Sequence, residues 1–189
     1  MLYKKQLFSY CEKEYKRQGL PYVSSYKGFL SQYFQHFVEA DHQVEQLEYF
    51  YLVTVKHFTL ISSHNPKKFQ ITLIKASNSG GPKKDLIRLF INYPDIPFLI
   101  ESVKSLFSRL GAQVENNNVM ANYMTEKSAR KISFIPVNEG GVSYLWYDID
   151  AGQFDLKALK KEIQSVTDDV QCIVKDWRRM QDSLRNIIY

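Results

Sequence analysis

Apolar side chains recur three and four apart without a break along the C-terminal stretch: Leu156, Leu159, Ile163, Val166, Val170, Ile173, Trp177, Met180, Leu184 and Ile187. This spacing predicts a helix packed along its whole length, with Asp155 as its N-cap. At 1.5 Å per residue such a helix spans roughly 50 Å, more than one small sheet can bury. Its far half therefore needs a cover, which is either the helices expected within residues 3–40 or a second chain. The intrachain cover is the expected one, because those helices carry apolar stripes of their own. Trp177 and Met180 are then packing residues of the long helix, with Trp177 buried.

A second pattern runs from Asp85 to Gly111. Leu86, Ile87, Leu89, Phe90 and Ile91 have the length and composition of a buried strand. Pro94 and Pro97 end it, and Asp95 is placed to accept the free N–H groups of a helix starting at Pro97. Leu99, Val103, Phe107 and Leu110 keep one face of that helix apolar, and Ile100 and Leu106 widen the stripe. Gly111 stands where a left-handed residue ends it.

The remaining segments follow the same rules. Leu7, Tyr10, Cys11 and Tyr15 predict a helix over residues 3–18, stopped by Gly19 and Pro21. Phe29, Leu30, Tyr33, Phe34, Phe37 and Val38 predict another over 26–40. Residues 48–62 are dense in Tyr, Phe, Val, Thr and Ile, which predicts a long bent strand paired as a hairpin with Phe69–Ile74. Residues 77–82, Ser-Asn-Ser-Gly-Gly-Pro, predict a linker. Ala112–Thr125 predicts a strand bulged at Asn116-Asn117-Asn118. Ile132–Val137 and Val142–Asp150 predict two more, joined by a turn at Asn138-Glu139-Gly140-Gly141. The division expected is a helical extension over residues 1–47 and an α+β domain over 48–189, with the hairpin at 48–76 and strand, helix, strands and long helix over 85–189.

A strand, an Asp-x-Pro turn and a helix resemble the opening of the βαββαβ modules called ACT domains, which sense amino acids for metabolic enzymes. More narrowly, Asp95-Ile96-Pro97-Phe98-Leu99-Ile100-Glu101-Ser102 is similar to the segment D-x-P-F-L-V-D-S near the N-terminus of the large bacterial NAD-specific glutamate dehydrogenases. Asp169-Val170-Gln171-Cys172-Ile173-Val174-Lys175-Asp176-Trp177-Arg178-Arg179-Met180 is similar to that family's D-V-R-x-A-V-x-D-W-x-x-M, and Asp148-Ile149-Asp150 resembles its strand ending in E-I-D. The resemblance implies an ACT-like, ferredoxin-like antiparallel sheet with helices on one face. It also implies a non-catalytic regulatory or oligomerisation domain of a cytoplasmic enzyme that oxidises L-glutamate to 2-oxoglutarate and ammonia with NAD. Asp95, Pro97, Phe98, Glu101 and Ser102 are then the candidate effector or interface loop. Ligand-binding ACT domains usually carry glycine where Phe98 stands, so the ring is expected either to fill the ligand's place or to pack.

The chemistry of catalysis is missing from the pattern. There is no G-x-G-x-x-G dinucleotide fingerprint, no G-x-S-x-G, no H-E-x-x-H and no C-x-x-C. His57 and His64 lack companion ligands, so no metal site is expected, and no catalytic or cofactor-binding residue is assigned; NAD belongs to the parent enzyme. Cys11 and Cys172 are expected to be thiols of a reducing compartment. No apolar run approaches the roughly 20 residues of a membrane helix. The net charge is +5, and residues 1–84 carry the excess with 12 Lys/Arg against 6 Asp/Glu. These lysines are spread thinly, which predicts a solvated surface rather than a nucleic-acid face. The expected partners are the remainder of a longer parent chain, a second copy and an amino-acid effector. The alternatives are a free-standing amino-acid sensor and a basic nucleic-acid adaptor.

Overall fold

The computed structural model describes residues 2–35, 47–63, 65, 67–76, 86–128, 131–138, 140–150 and 154–188. Ten elements follow in order: α1 (Leu2–Arg17), α2 (Val23–Tyr33), α3 (Leu47–Ser63), β1 (Gln70–Ala76), β2 (Leu86–Pro94), α4 (Leu99–Leu110), β3 (Val114–Lys127), β4 (Ile132–Pro136), β5 (Val142–Asp150) and α5 (Leu156–Ile188). The strands form one antiparallel sheet in the order β1-β2-β5-β3-β4. From β2 onward the chain runs strand, helix, strand, strand, helix, as an ACT-like module does, with β4 added after β3. The place beside β2, where a closing strand of a βαββαβ unit would lie, is taken by β1.

β2 and β5 are buried on both faces, so their alternation separates two cores rather than a core from solvent. Ile87, Leu89, Ile91, Leu145 and Ile149 meet Leu99, Val103, Leu106 and Phe107 of α4 and Leu159, Ile163, Val170 and Val174 of α5. Phe90, Tyr144 and Trp146 point the other way, into an aromatic core with Leu7 and Cys11 of α1, Tyr26, Phe29 and Tyr33 of α2, and Phe50, Val53 and Phe58 of α3. The α+β class, the antiparallel sheet and the long C-terminal helix are as expected. The module's own helices, α4 and α5, lie on one face of the sheet as expected, and the preceding helices α1–α3 cover the other.

The hairpin expected over 48–76 is also corrected. Residues 47–63 form α3, and β1 pairs with β2 instead. The β-branched content of Val53, Thr54, Val55, Thr59 and Ile61 pointed to a strand, but the buried positions Tyr49/Phe50, Val53/Thr54, His57/Phe58 and Ile61 repeat every three to four residues. That period closes a helical face, and a helix can bury it on the sheet and α1 together.

Two end signals act as the sequence predicts. Asp155 Oδ1 accepts the N–H groups of Lys157 and Ala158 at 2.9 and 2.8 Å and so caps α5. Gly111 ends α4 at φ 65°. The irregularities of β3 flank the asparagines, between Val114 and Asn116 and between Met120 and Tyr123, rather than falling among them. Phe37, Val38, His64, the linker over 77–82 and Glu139 lie outside the described residues.

The far half of α5 departs from expectation. Val174 is its last buried residue among those described, and Trp177 and Met180 are 54% and 52% exposed. Helices α1 and α2 do not fold over it, because they sit with α3 on the opposite face of the sheet, where the aromatic core holds their stripes. Trp177 and Met180 are therefore not packing residues within this chain.

Candidate functional site

The β2–α4 loop is fixed at both ends by the sheet. Pro94 stands opposite Val142 and Tyr93 opposite Ser143. The Asp95 N–H donates to the Gly141 carbonyl at 2.9 Å, and the Ser143 hydroxyl donates to Asp95 Oδ1. Asp95 therefore ties the loop back to β5 and does not cap α4. The residue at the cap position is Phe98, which makes no side-chain cap bond, so the first-turn N–H groups of α4 meet no side-chain acceptor there. Its carbonyl accepts the Ser102 N–H at 2.9 Å, which closes the first turn.

Phe98 adopts φ 69° and ψ −7°. A left-handed backbone costs an ordinary L-residue roughly 1–2 kcal/mol and costs glycine almost nothing. The loop thus keeps the conformation that glycine would take freely, while holding a phenylalanine. The ring is 62% exposed, so it neither fills the loop nor packs in the core. Pro97 and Glu101 are exposed beside it, and Ser102 is half-buried. Ser102 also lines a groove of about 250 Å³ between α4 and α5, with Ser105, Arg109, Val166, Asp169 and Ile173.

Beneath the loop lie polar groups that the sequence reading did not single out. Tyr93 is buried next to Asp95 and Ser143, and burial followed by the Asp95 charge raises its hydroxyl well above the usual range. Tyr147 is 1% exposed, and its hydroxyl has no hydrogen-bond partner among the described residues. Burial, with the Glu101 charge adding to it, pushes that hydroxyl up to about 12. Asp95, Glu101, Ser143 and Tyr93 thus gather at one end of the sheet, under the N-terminus of α4, with Tyr147 further along β5 opposite Leu89 and against Phe107. The hint in the sequence was period-two spacing within β2 and β5, which puts Tyr93, Ser143 and Tyr147 on the α4 face.

The opposite face holds a second polar group, also missed. The Arg88 guanidinium donates to both carboxylate oxygens of Asp148, its direct cross-strand partner, at 2.8 and 3.1 Å, and stacks on the Tyr49 ring at 4.8 Å. Burial raises the Asp148 carboxyl to about 8 and lowers the Arg88 guanidinium to about 10, and the two-pronged hydrogen bond is what holds the pair together. His57 lies between the Tyr33 hydroxyl and Asn92 Oδ1, both 3.3 Å from its ring nitrogens, and full burial drops its pKa to about 3. Asn92 donates onward to Gln70 at 2.9 Å, and Asn118 donates to the Tyr33 carbonyl at 2.8 Å. These groups satisfy one another under α2 and α3, so the arrangement is structural. His57 acts as the core histidine expected from the sequence, and the described residues contain no cluster able to hold a metal ion. Cys11 is buried and Cys172 exposed, both as free thiols. Among the described residues no helix is long and apolar enough to cross a membrane.

This is a mixed α+β module of ACT type, its polar loop placed between the first strand of the repeat and its helix. A protein-family model described as the glutamate dehydrogenase ACT1 domain matches residues 29–123, just over half of the chain, and the chain belongs to that family. The match runs from α2 to the middle of β3, so it includes the candidate loop and α3, while the Asp169–Met180 motif lies beyond it. No curated protein matches the chain significantly, and no solved structure does.

Proposed function

We propose that this chain is the non-catalytic regulatory domain at the N-terminal side of an NAD-dependent glutamate dehydrogenase, and that the β2–α4 loop is where it meets an amino-acid effector or the rest of that enzyme. The family match carries the reading. The loop adds support of its own. Phe98 holds a costly backbone and exposes its ring, so the cost is not repaid by packing inside the chain, and such strain persists where a loop serves recognition. Three first-turn N–H groups of α4 suit a carboxylate, and the buried Tyr147 hydroxyl nearby has a donor to offer. NAD and the glutamate substrate belong to the parent enzyme, since the chain carries neither a dinucleotide fingerprint nor a metal cluster among its described residues.

Two measurements test this reading. The purified chain is expected to give no glutamate-dependent reduction of NAD; turnover that survives purification and disappears in Asp95→Asn or Asp148→Asn would overturn it. Calorimetric titration with the common L-amino acids is expected to give heat with at least one of them, lost in Phe98→Ala and in Tyr147→Phe. Binding that neither substitution alters would move the effector away from this loop.

A further inference from the structure

Strands in a sheet lie about 4.8 Å apart, and a helix packed on a sheet covers about 10 Å, or two strands. Under α2 and α3 four of the five strands are covered. α3 meets β2 through His57–Asn92 and Tyr49–Arg88, and α2 meets β3 and β4 through Tyr33–Asn118 and Ser25–Ile132. On the other face α5 lies against β1 and α4, and α4 lies on β2 and β5. No described helix lies over β3 and β4 on that face. The gap is apolar: Met124 and Ile135 are direct cross-strand partners, 46% and 36% exposed, with exposed Ala121 and half-buried Val119 alongside.

The same chain carries helix to spare. Ile173, Trp177 and Met180 continue the α5 stripe into solvent at 62%, 54% and 52% exposure. Residues 175–188 make about 21 Å of helix, and the bare strip along β3 from Ala121 to Glu126 is of similar length, at roughly 17 Å. Within one chain the two do not meet, because α5 lies at the β1 edge and the gap at the β4 edge, with α4 between.

We infer that the outer half of α5 from one copy of this chain docks across β3 and β4 of a second copy, and reciprocally, supplying the missing helix on that face. The charges agree in sign: residues 175–188 hold Lys175, Arg178, Arg179 and Arg185 against Asp176 and Asp182, whereas exposed Glu126 flanks Met124 on the bare face. Reciprocal exchange closes with two-fold symmetry and leaves no stripe unpaired. Two such contacts bury on the order of 1,200–1,600 Å², the size of a stable interface. The pairing stands apart from the effector reading, and either can fail without the other.

Sedimentation equilibrium of the 189-residue chain tests it. A dimer is expected, and Trp177→Glu or Met124→Glu each raises its dissociation constant at least about 30-fold, as loss of a central anchor does. Both positions are exposed, so circular dichroism should be unchanged. An equimolar mixture of the two variants should recover a dimer, held by the intact helix of the Met124→Glu copy on the intact sheet of the Trp177→Glu copy. Trp146 is fully buried, so acrylamide quenching of tryptophan reads Trp177 and should fall as the dimer forms. A wild-type chain that stays monomeric at about 100 µM, where an interface of this size is occupied, overturns the inference. So does a dimer indifferent to both substitutions, which would be pairing through another surface such as the β4 edge.

Discussion

Where α4 and α5 cover the sheet, strands β2 and β5 present Ile87, Leu89, Ile91, Leu145 and Ile149; where α2 and α3 cover it, the same two strands present Arg88, Asn92, Trp146 and Asp148. Both faces are buried, but they specify the fold differently. An aliphatic layer is satisfied by volume and shape, and tolerates neighbouring registers of similar bulk. Arg88 opposite Asp148 favours one register: a shift of two residues either way leaves the Asp148 carboxyl buried without its partner, at several kcal/mol. The charge pair therefore sets which residues of β2 and β5 pair, while apolar burial on both faces supplies the driving force. The same contrast explains the exposed ends. The face that holds the charge pair is closed by helices whose polar side chains reach the sheet, as His57, Tyr49 and Gln32 do, while the other face leaves β3 and β4 bare.

Breaking the charge pair should have the largest effect. Arg88→Met strands the Asp148 carboxylate in the core and should cost about 3–5 kcal/mol of unfolding free energy in urea titrations. Adding Asp148→Leu should restore most of that loss, because the double variant leaves no buried charge. If the double variant is as unstable as the single one, the pair is not what sets the register.

His57 sharpens the comparison through pH. Its folded-state pKa, near 3, lies below the ordinary 6.5, so between those values the unfolded chain binds the extra proton. Its contribution is therefore complete above about pH 6.5 and is lost as pH falls toward 3, at about 1.4 kcal/mol per pH unit. His57→Gln keeps hydrogen-bonding atoms without that proton. Its stability should fall less steeply between pH 6 and pH 4 than that of the wild type, measured as thermal midpoints. Parallel curves would show that His57 is not the buried neutral group its surroundings imply.

Trp177→Ala should do the least to the fold. A buried tryptophan would cost about 3–5 kcal/mol, but at 54% exposure the change should stay within about 0.5 kcal/mol for the monomer, read by chemical denaturation at low protein concentration. A loss of several kcal/mol there would mean that the residue packs within its own chain after all.

Local signals were enough where a few neighbouring residues decide the outcome, as at the Asp155 cap, the Gly111 stop and the spacing of the α5 stripe. They were not enough at Asp95, which the sequence offered as a cap and the sheet claims through Ser143. The Asp-x-Pro-Phe segment was sufficient to point to the family that the match over residues 29–123 confirms. Residues 47–63 show the limit: their strand-like composition competed with a helical period, and burial against both the sheet and α1 settled it. Arg88 and Asp148 are 60 residues apart, and nothing local says that they pair; the register of β2 on β5 brings them together. Which face each helix takes, and hence that Trp177 and Phe98 lie exposed, was likewise decided by tertiary packing. An amphipathic stripe states that a helix needs a surface, but only competition among all the stripes for one sheet determines which are covered.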